Sequence, residues 1–253
     1  MNSSDDNDRS IKSNHDNDLI ALEVRNLSKF WESQAGRVTG VTNISFNVRK
    51  GEFVSIVGPS GSGKSTLLNM LGALERPSSG QVFINGVDIF SMNDSQAATI
   101  RNKSIGFIFQ SYNLINRTNV LKNVEFPAII GGMNKSERRM RATKLLNFLG
   151  LKSKIKSKPF NLSGGEQQRV AIARSLMNNP AIILADEPTG NLDTKTGADV
   201  FGLLKLLSDK FKRTIVMVTH NAELAANTDR SIHIKDGRIE KQVKNLGLEY
   251  DYQ

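Results

Sequence analysis

The feature that most restricts the fold is a glycine-rich loop directly after the apolar run at residues 53–57. The loop satisfies the pattern G-x-x-x-x-G-K-[ST] in full, and its glycines let successive backbone N–H groups surround an anion without side-chain clashes. The pattern of residues 66–74 predicts a helix after the loop, with its positive end facing that anion. The sequence therefore predicts a strand, a phosphate-binding loop and a helix in succession. The loop residues are Gly58, Pro59, Ser60, Gly61, Ser62, Gly63, Lys64, Ser65 and Thr66.

Two side chains of this loop have predicted roles of their own. The ammonium group of Lys64 is expected to neutralise charge on the β- and γ-phosphates of a nucleotide, because a lysine at this position reaches them. The hydroxyl group of Ser65 is expected to bind Mg²⁺. The loop therefore predicts both a nucleotide and a divalent cation as ligands.

A pair of carboxylates forms a second candidate feature. The apolar run at residues 182–185 leads directly into Asp186 and Glu187. A carboxylate at the carboxyl end of a buried parallel strand lies where such sheets bind ligands. Asp186 is therefore predicted to hold Mg²⁺, and Glu187 to polarise a water molecule for attack on the γ-phosphate.

The apolar runs also predict the class of fold. The runs at residues 53–57, 182–185 and 214–218 are continuous rather than alternating, which is typical of parallel strands buried on both faces. Helical patterns lie between them, so the sequence predicts an α/β sheet covered by helices on both faces. Residues 19–25 alternate as in a strand, and residues 231–239 predict a hairpin that turns at an Asp-Gly pair.

Composition along the chain predicts the domain organisation. Residues 1–18 are rich in Asp, Asn and Ser and almost free of apolar residues, which predicts a disordered acidic tail. Residues 19–245 are expected to form one nucleotide-binding domain, with a basic helical insertion at about residues 97–160. Residues 246–253 are expected to be a C-terminal tail.

The charge of the insertion leaves three interpretations open. Residues 135–158 contain nine Lys and Arg against one acidic residue, Glu137. Such a segment can be a solvated basic face, a contact with an anionic membrane, or a nucleic-acid surface. Nucleic acid is not expected, because no aromatic platform or recognition helix accompanies the basic residues.

Composition excludes other classes of protein. The chain of 253 residues contains no cysteine, so disulfides, thiolate metal sites and a cysteine nucleophile are excluded. No apolar run approaches the roughly 18 residues of a membrane-spanning helix. The N-terminal residues lack the pattern of a secretory signal, so the predicted location is cytoplasmic.

A third motif, Leu162-Ser163-Gly164-Gly165-Glu166-Gln167-Gln168-Arg169, precedes the acidic pair. Ser163 followed three residues later by Glu166 predicts a capping box at the start of a helix. The same helix start offers an anion site. With this motif, the sequence closely resembles the nucleotide-binding subunits of ATP-binding-cassette transporters over about residues 20–242. It is most similar to the macrolide-export and lipoprotein-release branch, in the stretches GPSGSGKSTLLNMLG, GFIFQSYNL, LADEPTGNLD and VTHNAELA.

The resemblance implies a fold and a set of site residues. The implied fold is α/β: a P-loop NTPase core with a mixed, mainly parallel sheet, an N-terminal antiparallel β part and an inserted helical subdomain. Gln110 would contact Mg²⁺ and sense the γ-phosphate, and His220 would hydrogen-bond that phosphate and help to hold the water. Trp31 would stack on adenine, with Phe30 as the open alternative. The resemblance also implies that Ser163, Gly164, Gly165, Gln167 and Asp193 bind nucleotide or its surroundings across a dimer interface.

The function implied by the resemblance is ATP hydrolysis, with Mg²⁺, in a dimer of two copies. The dimer would power a separately encoded membrane permease from the cytoplasmic face of the membrane, for export or extraction of a hydrophobic or peptide-like substrate. An ATPase of the same family without a transport role, in cofactor assembly or on ribosomes, is the alternative. A kinase or GTPase is disfavoured by the motif at 162–169. Residues 114–118 lack the proline often found in this branch, which leaves the identity of the permease open.

Overall fold

The computed structural model describes residues 19–33 and 36–245. The two tails predicted at residues 1–18 and 246–253 lie outside the described residues. The strands are β1 Ile20–Ser33, β2 Gly36–Arg49, β3 Phe53–Val57, β4 Ser79–Ile84, β5 Val87–Asp88, β6 Ile105–Phe109, β7 Ile182–Asp186, β8 Thr214–Thr219, β9 Arg230–Lys235 and β10 Arg238–Lys244. The helices are α1 Lys64–Leu71, α2 Asp94–Ser104, α3 Val120–Ile130, α4 Lys135–Phe148, α5 Gly164–Ser175, α6 Thr194–Asp209 and α7 Ala222–Ala226, with 3₁₀ turns at Lys152–Lys154 and Pro159–Asn161.

The strands form two sheets. In the six-stranded sheet, the order is β10-β9-β3-β8-β7-β6. Strands β9, β3, β8, β7 and β6 are parallel, and only β10 is antiparallel. The four-stranded sheet has the order β2-β1-β4-β5 and is antiparallel throughout. The predicted mixed sheet and N-terminal antiparallel part are therefore confirmed.

Apolar side chains cover both faces of the six-stranded sheet. Successive residues of a strand point to opposite faces, so Phe53 and Val54 enter two different clusters. The first cluster joins this sheet to the four-stranded sheet and to the inner face of α1. The second cluster joins it to α3, α4, α5 and α6. Because strands β3, β7 and β8 are buried on both faces, the positions of their carboxyl ends are fixed by the core.

The predicted helical insertion at residues 97–160 is wrong at one element. Residues 105–109 form strand β6, which pairs in parallel with β7 in the six-stranded sheet. The run Ile-Gly-Phe-Ile-Phe is only five residues long, and periodicity cannot distinguish so short an apolar run from a buried helical segment. The inserted helices α3 and α4 therefore follow this core strand rather than enclose it.

Gly106 places β6 against α5. A Cβ on Gly106 would lie 2.5 Å from the carbonyl oxygen of Ser175, and neither backbone can move without disturbing the core. We expect Gly106→Ala to lower the free energy of unfolding by about 1–3 kcal/mol, the usual result of overpacking. The measurement is urea unfolding of the nucleotide-free protein.

Gly202 provides the matched control for this substitution. It lies in α6, where a Cβ would meet no atom within 4 Å. Gly202→Ala should therefore raise the free energy of unfolding by roughly 0.5–1 kcal/mol, because alanine favours the helix. A gain for Gly106→Ala, or equal losses for the two variants, would contradict the close contact of β6 and α5.

The predicted hairpin at the end of the domain is confirmed and reaches the phosphate-binding loop. Asp236 and Gly237 have φ angles of 48° and 72°, as a two-residue hairpin turn of type I′ requires. The N–H of Gly237 donates to the carbonyl of Ser62 at 3.1 Å, and the carbonyl of Gly237 accepts from Thr42 at 2.7 Å. The hairpin thus ties the loop to β2. No helix in the described parts of the chain has the length and hydrophobicity needed to span a bilayer.

Candidate functional site

Four groups of predicted site residues lie at the carboxyl ends of four neighbouring parallel strands. The phosphate-binding loop follows β3, His220 follows β8, and Gln110 follows β6. Asp186 ends β7 and pairs with Val218 on one side and Phe109 on the other. Since Val57 pairs with Thr219, the register brings all four strand ends to one edge of the sheet. Ligands of open α/β sheets bind at this edge.

The loop after β3 has the conformation that its glycines predicted. Gly61 and Gly63 have φ angles of 77° and 96°, in the left-handed region that side chains other than glycine rarely adopt. A Cβ on Gly58 would lie 2.1 Å from the carbonyl oxygen of Ile234, and one on Gly63 would lie 2.2 Å from that of Gly40. Helix α1 begins at Lys64, two residues earlier than predicted. The loop and the helix start form a cradle, and two of its glycines allow it to pack closely against β9 and β2.

Two polar groups in this cradle are suited to phosphate. The Nζ of Lys64 is buried and donates to the carbonyl oxygens of Gly58 and Pro59, both at 2.8 Å. The Oγ of Ser62 is buried and has no hydrogen-bond partner among the described residues. An ammonium group and a hydroxyl group both hydrogen-bond phosphate oxygens, so the residues of the loop fit a nucleotide phosphate chemically.

The acidic pair lies beside the loop. Burial raises the pKa of the Asp186 carboxyl, and the neighbouring Glu187 raises it further, while Lys64 opposes both. The backbone of Glu187 has a φ of 45°, and its N–H donates to the carbonyl of Val218 at 3.0 Å. This left-handed conformation is uncommon for a residue other than glycine.

His220 reaches the predicted base directly. Its Nδ1 lies 2.9 Å from Oε1 of Glu187. The His220 side chain is 72% exposed and that of Glu187 is 17% exposed, so the imidazole lies over a carboxylate that is mostly shielded from water. The sequence placed both residues in one site, and the structure brings them into hydrogen-bond contact.

Gln110 is held by a residue that sequence reasoning missed. The Nε2 of Gln110 donates to Oδ1 of Asn191 at 3.1 Å, and Nδ2 of Asn191 donates to the carbonyl of Gln110 at 3.0 Å. A Cβ on Gly190 would lie 2.8 Å from Nε2 of Gln110, so a glycine is needed for this approach. The only available signal for Asn191 was its position in the loop that ends at Asp193.

The predicted capping box at Ser163 is confirmed. The N–H of Glu166 donates to Oγ of Ser163 at 3.2 Å, and the N–H of Ser163 donates to Oε2 of Glu166 at 2.9 Å. The bond from Ser163 and the ion pair with Lys154 lower the pKa of Glu166, against an opposing effect of burial. Gln167 donates through Nε2 to the carbonyl of Leu162 at 3.2 Å. Hydrogen bonds from within the chain thus cap the start of this helix.

The glycines of this motif pack close to other elements of the same chain. A Cβ on Gly164 would lie 2.9 Å from the hydroxyl of Tyr112, and one on Gly165 would lie 2.4 Å from Cγ2 of Thr196. Asp193 caps α6, and hydrogen bonds from Thr196 lower its pKa. The residues nearest to the glycine motif therefore lie after β6 and at the start of α6. Those of the phosphate-binding loop lie on β2 and in the β9–β10 hairpin.

Trp31 lies beside the phosphate-binding loop. A Cβ on Gly40 would lie 2.8 Å from the Trp31 ring and 3.0 Å from Cγ2 of Thr66. The ring is partly exposed, and its Nε1 donates to Oε1 of Glu75 at 3.2 Å. The neighbouring Phe30 ring carries the Arg37 guanidinium 3.2 Å above its centre, so that face is already covered. The ammonium of Lys29 lies farther from the Trp31 ring, at 5.5 Å from its centre. Of the two rings, Trp31 is the one that lies beside Gly40 and near Thr66 of the loop.

The described residues contain no group of three or more His, Cys, Asp and Glu side chains that could hold a metal ion. Ser65, Gln110 and Asp186 lie at the same sheet edge and offer hydroxyl, amide and carboxylate oxygens. Mg²⁺ prefers such oxygen ligands and commonly takes its others from water and phosphate. The donor set fits a cation that arrives with a nucleotide.

Known proteins are similar in sequence to this chain over most of its length. The family model described as ABC transporter matches residues 41–190. An uncharacterized ABC transporter ATP-binding protein from Thermotoga maritima is 49% identical, over 90% of this chain and 97% of that protein. The macrolide export ATP-binding/permease protein MacB from Mannheimia succiniciproducens is 47% identical over 86% of this chain, which spans 34% of that protein.

Solved structures share the fold as well. A dimeric structure of the ABC transporter cassette MJ0796, a protein of Methanocaldococcus jannaschii, matches with a TM-score of 0.82 and 44% identity, over 90% of this chain and 100% of that chain. A dimeric post-hydrolysis structure of the same cassette, bound to ADP and phosphate, matches with a TM-score of 0.81. The predicted fold class and family are confirmed. The chain belongs to the ABC transporter family, as one of its ATP-binding, ATP-hydrolysing subunits.

Proposed function

We propose that two copies of this chain enclose ATP between them, hydrolyse it, and drive a separately encoded membrane permease. The observation that carries this proposal is the separation of two phosphate-binding features within one chain. The loop at residues 58–66 contacts β2 and the β9–β10 hairpin, whereas Ser163–Gly165 contacts Tyr112 and α6. A second copy supplies the missing half of each site, as a two-fold symmetric dimer requires. The dimeric structures of the MJ0796 cassette support this arrangement.

The chain's own residues divide the work of hydrolysis. Lys64 and the backbone N–H groups of the loop bind the phosphates. The carboxylate of Glu187 accepts a proton from the attacking water. His220 lies 2.9 Å from that carboxylate and helps to hold the water in place. Bound Mg²⁺, held by Ser65, Gln110 and Asp186, would neutralise charge on the β- and γ-phosphates.

Trp31 is the proposed platform for adenine, because its ring lies beside the start of α1. It is the only tryptophan of the chain, so ATP binding should change the intrinsic fluorescence. We expect Trp31→Leu to raise the Kd for ATP by about tenfold, the loss of one stacking contact of roughly 1–1.5 kcal/mol. Phe30→Leu, the matched control, should change it by less than about twofold, since the Phe30 ring is covered by Arg37. A fluorescent ATP analogue measures both variants, and the reverse order would assign the platform to Phe30.

An apolar groove is the proposed docking site for the permease. It has a volume of about 450 Å³ and lies between β6, α2, α3 and the end of α5. Its lining includes Phe107, Phe126, Pro127 and Ile130, and the side chains of Phe126 and Ile130 are 44% and 62% exposed. Apolar residues at such exposure are typical of protein interfaces. The relative MacB, whose name joins ATP-binding and permease functions, supports a permease as the occupant.

The proposed location follows from that partner. Docked to a permease, the chain lies at the cytoplasmic face of the membrane as a peripheral subunit. Export or extraction of a hydrophobic or peptide-like substrate is the proposed transport activity, because relatives that match the chain closely include macrolide export proteins. An ATPase without a transport role is the alternative, and only the partner distinguishes the two.

Two experiments test the proposal. The tagged chain, extracted from its native membranes in mild detergent, should bring down an integral membrane protein. Phe126→Ser should lose that partner while keeping ATP hydrolysis, and Phe160→Ser, at an exposed position outside the groove, should keep both. A chain recovered only from the soluble fraction would overturn the transport role. Failure of the chain to dimerise with ATP at micromolar concentration, in a hydrolysis-deficient variant, would overturn the shared site.

A further inference from the structure

Arg174 joins three parts of the molecule that the proposed function treats separately. It lies in the last turn of α5, the helix that begins at Ser163–Gly165. Its Nη1 donates to the carbonyl of Asn113 at 2.5 Å, and its Nη2 donates to the carbonyl of Tyr112 at 2.8 Å. Arg174 and Asn113 both line the groove proposed for the permease. One guanidinium thus contacts the segment after Gln110 and the docking groove.

The environment of Arg174 is unusual for a cation. Burial lowers its pKa, and among residues 19–33 and 36–245 no carboxylate forms an ion pair with it. A half-buried charge without a counterion is costly unless its donors are well used. The planar fork of arginine suits two neighbouring carbonyl oxygens, which a lysine cannot match in the same geometry. The position of Arg174 near the C-terminus of α5 also stabilises its positive charge, because the helix dipole is negative at that end.

The segment that Arg174 holds is strained. Tyr112 and Asn113 have φ angles of 60° and 49°, in the left-handed region, which is unfavourable for a tyrosine. Such a conformation persists where surrounding contacts impose it. The hydroxyl of Tyr112 also lies against Gly164, so this segment contacts α5 near both of its ends.

We propose that Arg174 is a positioning residue, which holds Tyr112 and Asn113 and thereby sets the place of Gln110 at the nucleotide site. A permease segment in the groove would contact Arg174 and Asn113 and shift this arrangement directly. The inference rests on the proposed function, because Gln110 is assigned to Mg²⁺ and the γ-phosphate there. Arg174 thus provides a physical contact between the groove and the segment that follows Gln110.

The first measurement separates positioning from binding. Arg174→Met should lower kcat for ATP hydrolysis by about tenfold, since a displaced group in the site costs rate. It should leave the Kd for ATP, measured by Trp31 fluorescence, within about twofold, because the phosphate-binding loop is untouched. Arg174→Lys should show a smaller loss of kcat. Arg138→Met is the matched control. Arg138 also donates to a backbone carbonyl, that of Met133, but it lies outside the groove. The kcat of the Arg138→Met variant should stay within about twofold of the parental value.

The second measurement does not depend on activity. The chain has no cysteine, so Ser111→Cys carries a single nitroxide label next to Gln110. In nucleotide-free protein, the label should be more mobile with Arg174→Met or Arg174→Lys than with Arg174 present. If Arg174→Met does not fold, the lysine variant carries both measurements.

Both effects are required for the inference. A normal kcat in the Arg174 variants, or a label whose mobility does not change, would overturn it, as would equal effects of Arg138→Met. If the parent chain does not hydrolyse ATP, the proposed function fails, while an unchanged label spectrum alone refutes the role of Arg174.

Discussion

Replacing Glu187 by Gln is expected to lower the rate of ATP hydrolysis by about a hundredfold or more, the typical contribution of a general base. Glutamine has nearly the same shape and keeps a hydrogen-bonding oxygen near His220, which lies 2.9 Å from the carboxylate. It cannot accept the proton of the attacking water. The Kd for ATP should remain within about threefold, since Lys64 and the loop, which are the proposed phosphate ligands, are unchanged. Phosphate release and Trp31 fluorescence measure the two quantities separately.

The Glu187→Gln variant should also accumulate a dimer in the presence of ATP, because it closes on the nucleotide but does not hydrolyse it. Light scattering during size-exclusion chromatography measures this directly. Glu240→Gln, at an exposed position in β10, is the control and should behave like the parent. Hydrolysis by Glu187→Gln at the parental rate would place the base elsewhere.

The second large expected effect is that two variants, each inactive alone, recover ATP hydrolysis when they are mixed. Lys64→Ala removes the buried ammonium of the phosphate-binding loop, and Ser163→Arg places a bulky charged group at the exposed start of α5. Each variant alone should lose at least about 95% of hydrolysis, because each damages both sites of its own dimer. A mixed dimer, in contrast, combines an intact loop from one copy with an intact Ser163 from the other.

An equal mixture should therefore regain about a quarter of the parental rate, since half of the dimers contain one intact site of two. The control mixes either variant with protein that carries Glu187→Gln, Lys64→Ala and Ser163→Arg together. This triple variant contributes neither an intact loop nor an intact Ser163, so the mixture should regain no hydrolysis. No recovery in the first mixture, with mixed dimers verified by differently sized tags, would contradict a site shared between copies.

The local motifs were predictable because their contacts join residues close in sequence. The capping bond between Ser163 and Glu166 spans three residues, and the hairpin turn at Asp236 and Gly237 depends on backbone conformations that these residues favour. The phosphate-binding loop is local in the same sense, since its glycines and Lys64 act within one turn. Because the residue types of such features recur at fixed short spacings, the spacing alone predicts them.

Strand β6 was missed for the opposite reason. Its five residues have no period of their own, and their identity as a strand comes from pairing with β7. The boundary of the helical insertion moved with it, because the inserted helices begin only after Gln110. An isolated short apolar run is compatible with either structure until a neighbouring strand is available.

The sequence by itself predicted the candidate nucleotide site of this protein. Residue type and short spacing indicated the loop at residues 58–66 and the acidic pair at 186–187, and the family resemblance implied His220. Only the tertiary structure decided which contacts position these segments relative to one another. Asn191 contacts Gln110 across 81 residues, and Arg174 contacts Asn113 across 61. Those hydrogen bonds exist because the order and register of β3, β8, β7 and β6 bring distant segments to one edge of the sheet. No local pattern encodes such pairs, since each partner alone is an ordinary polar residue in a loop or at a helix end.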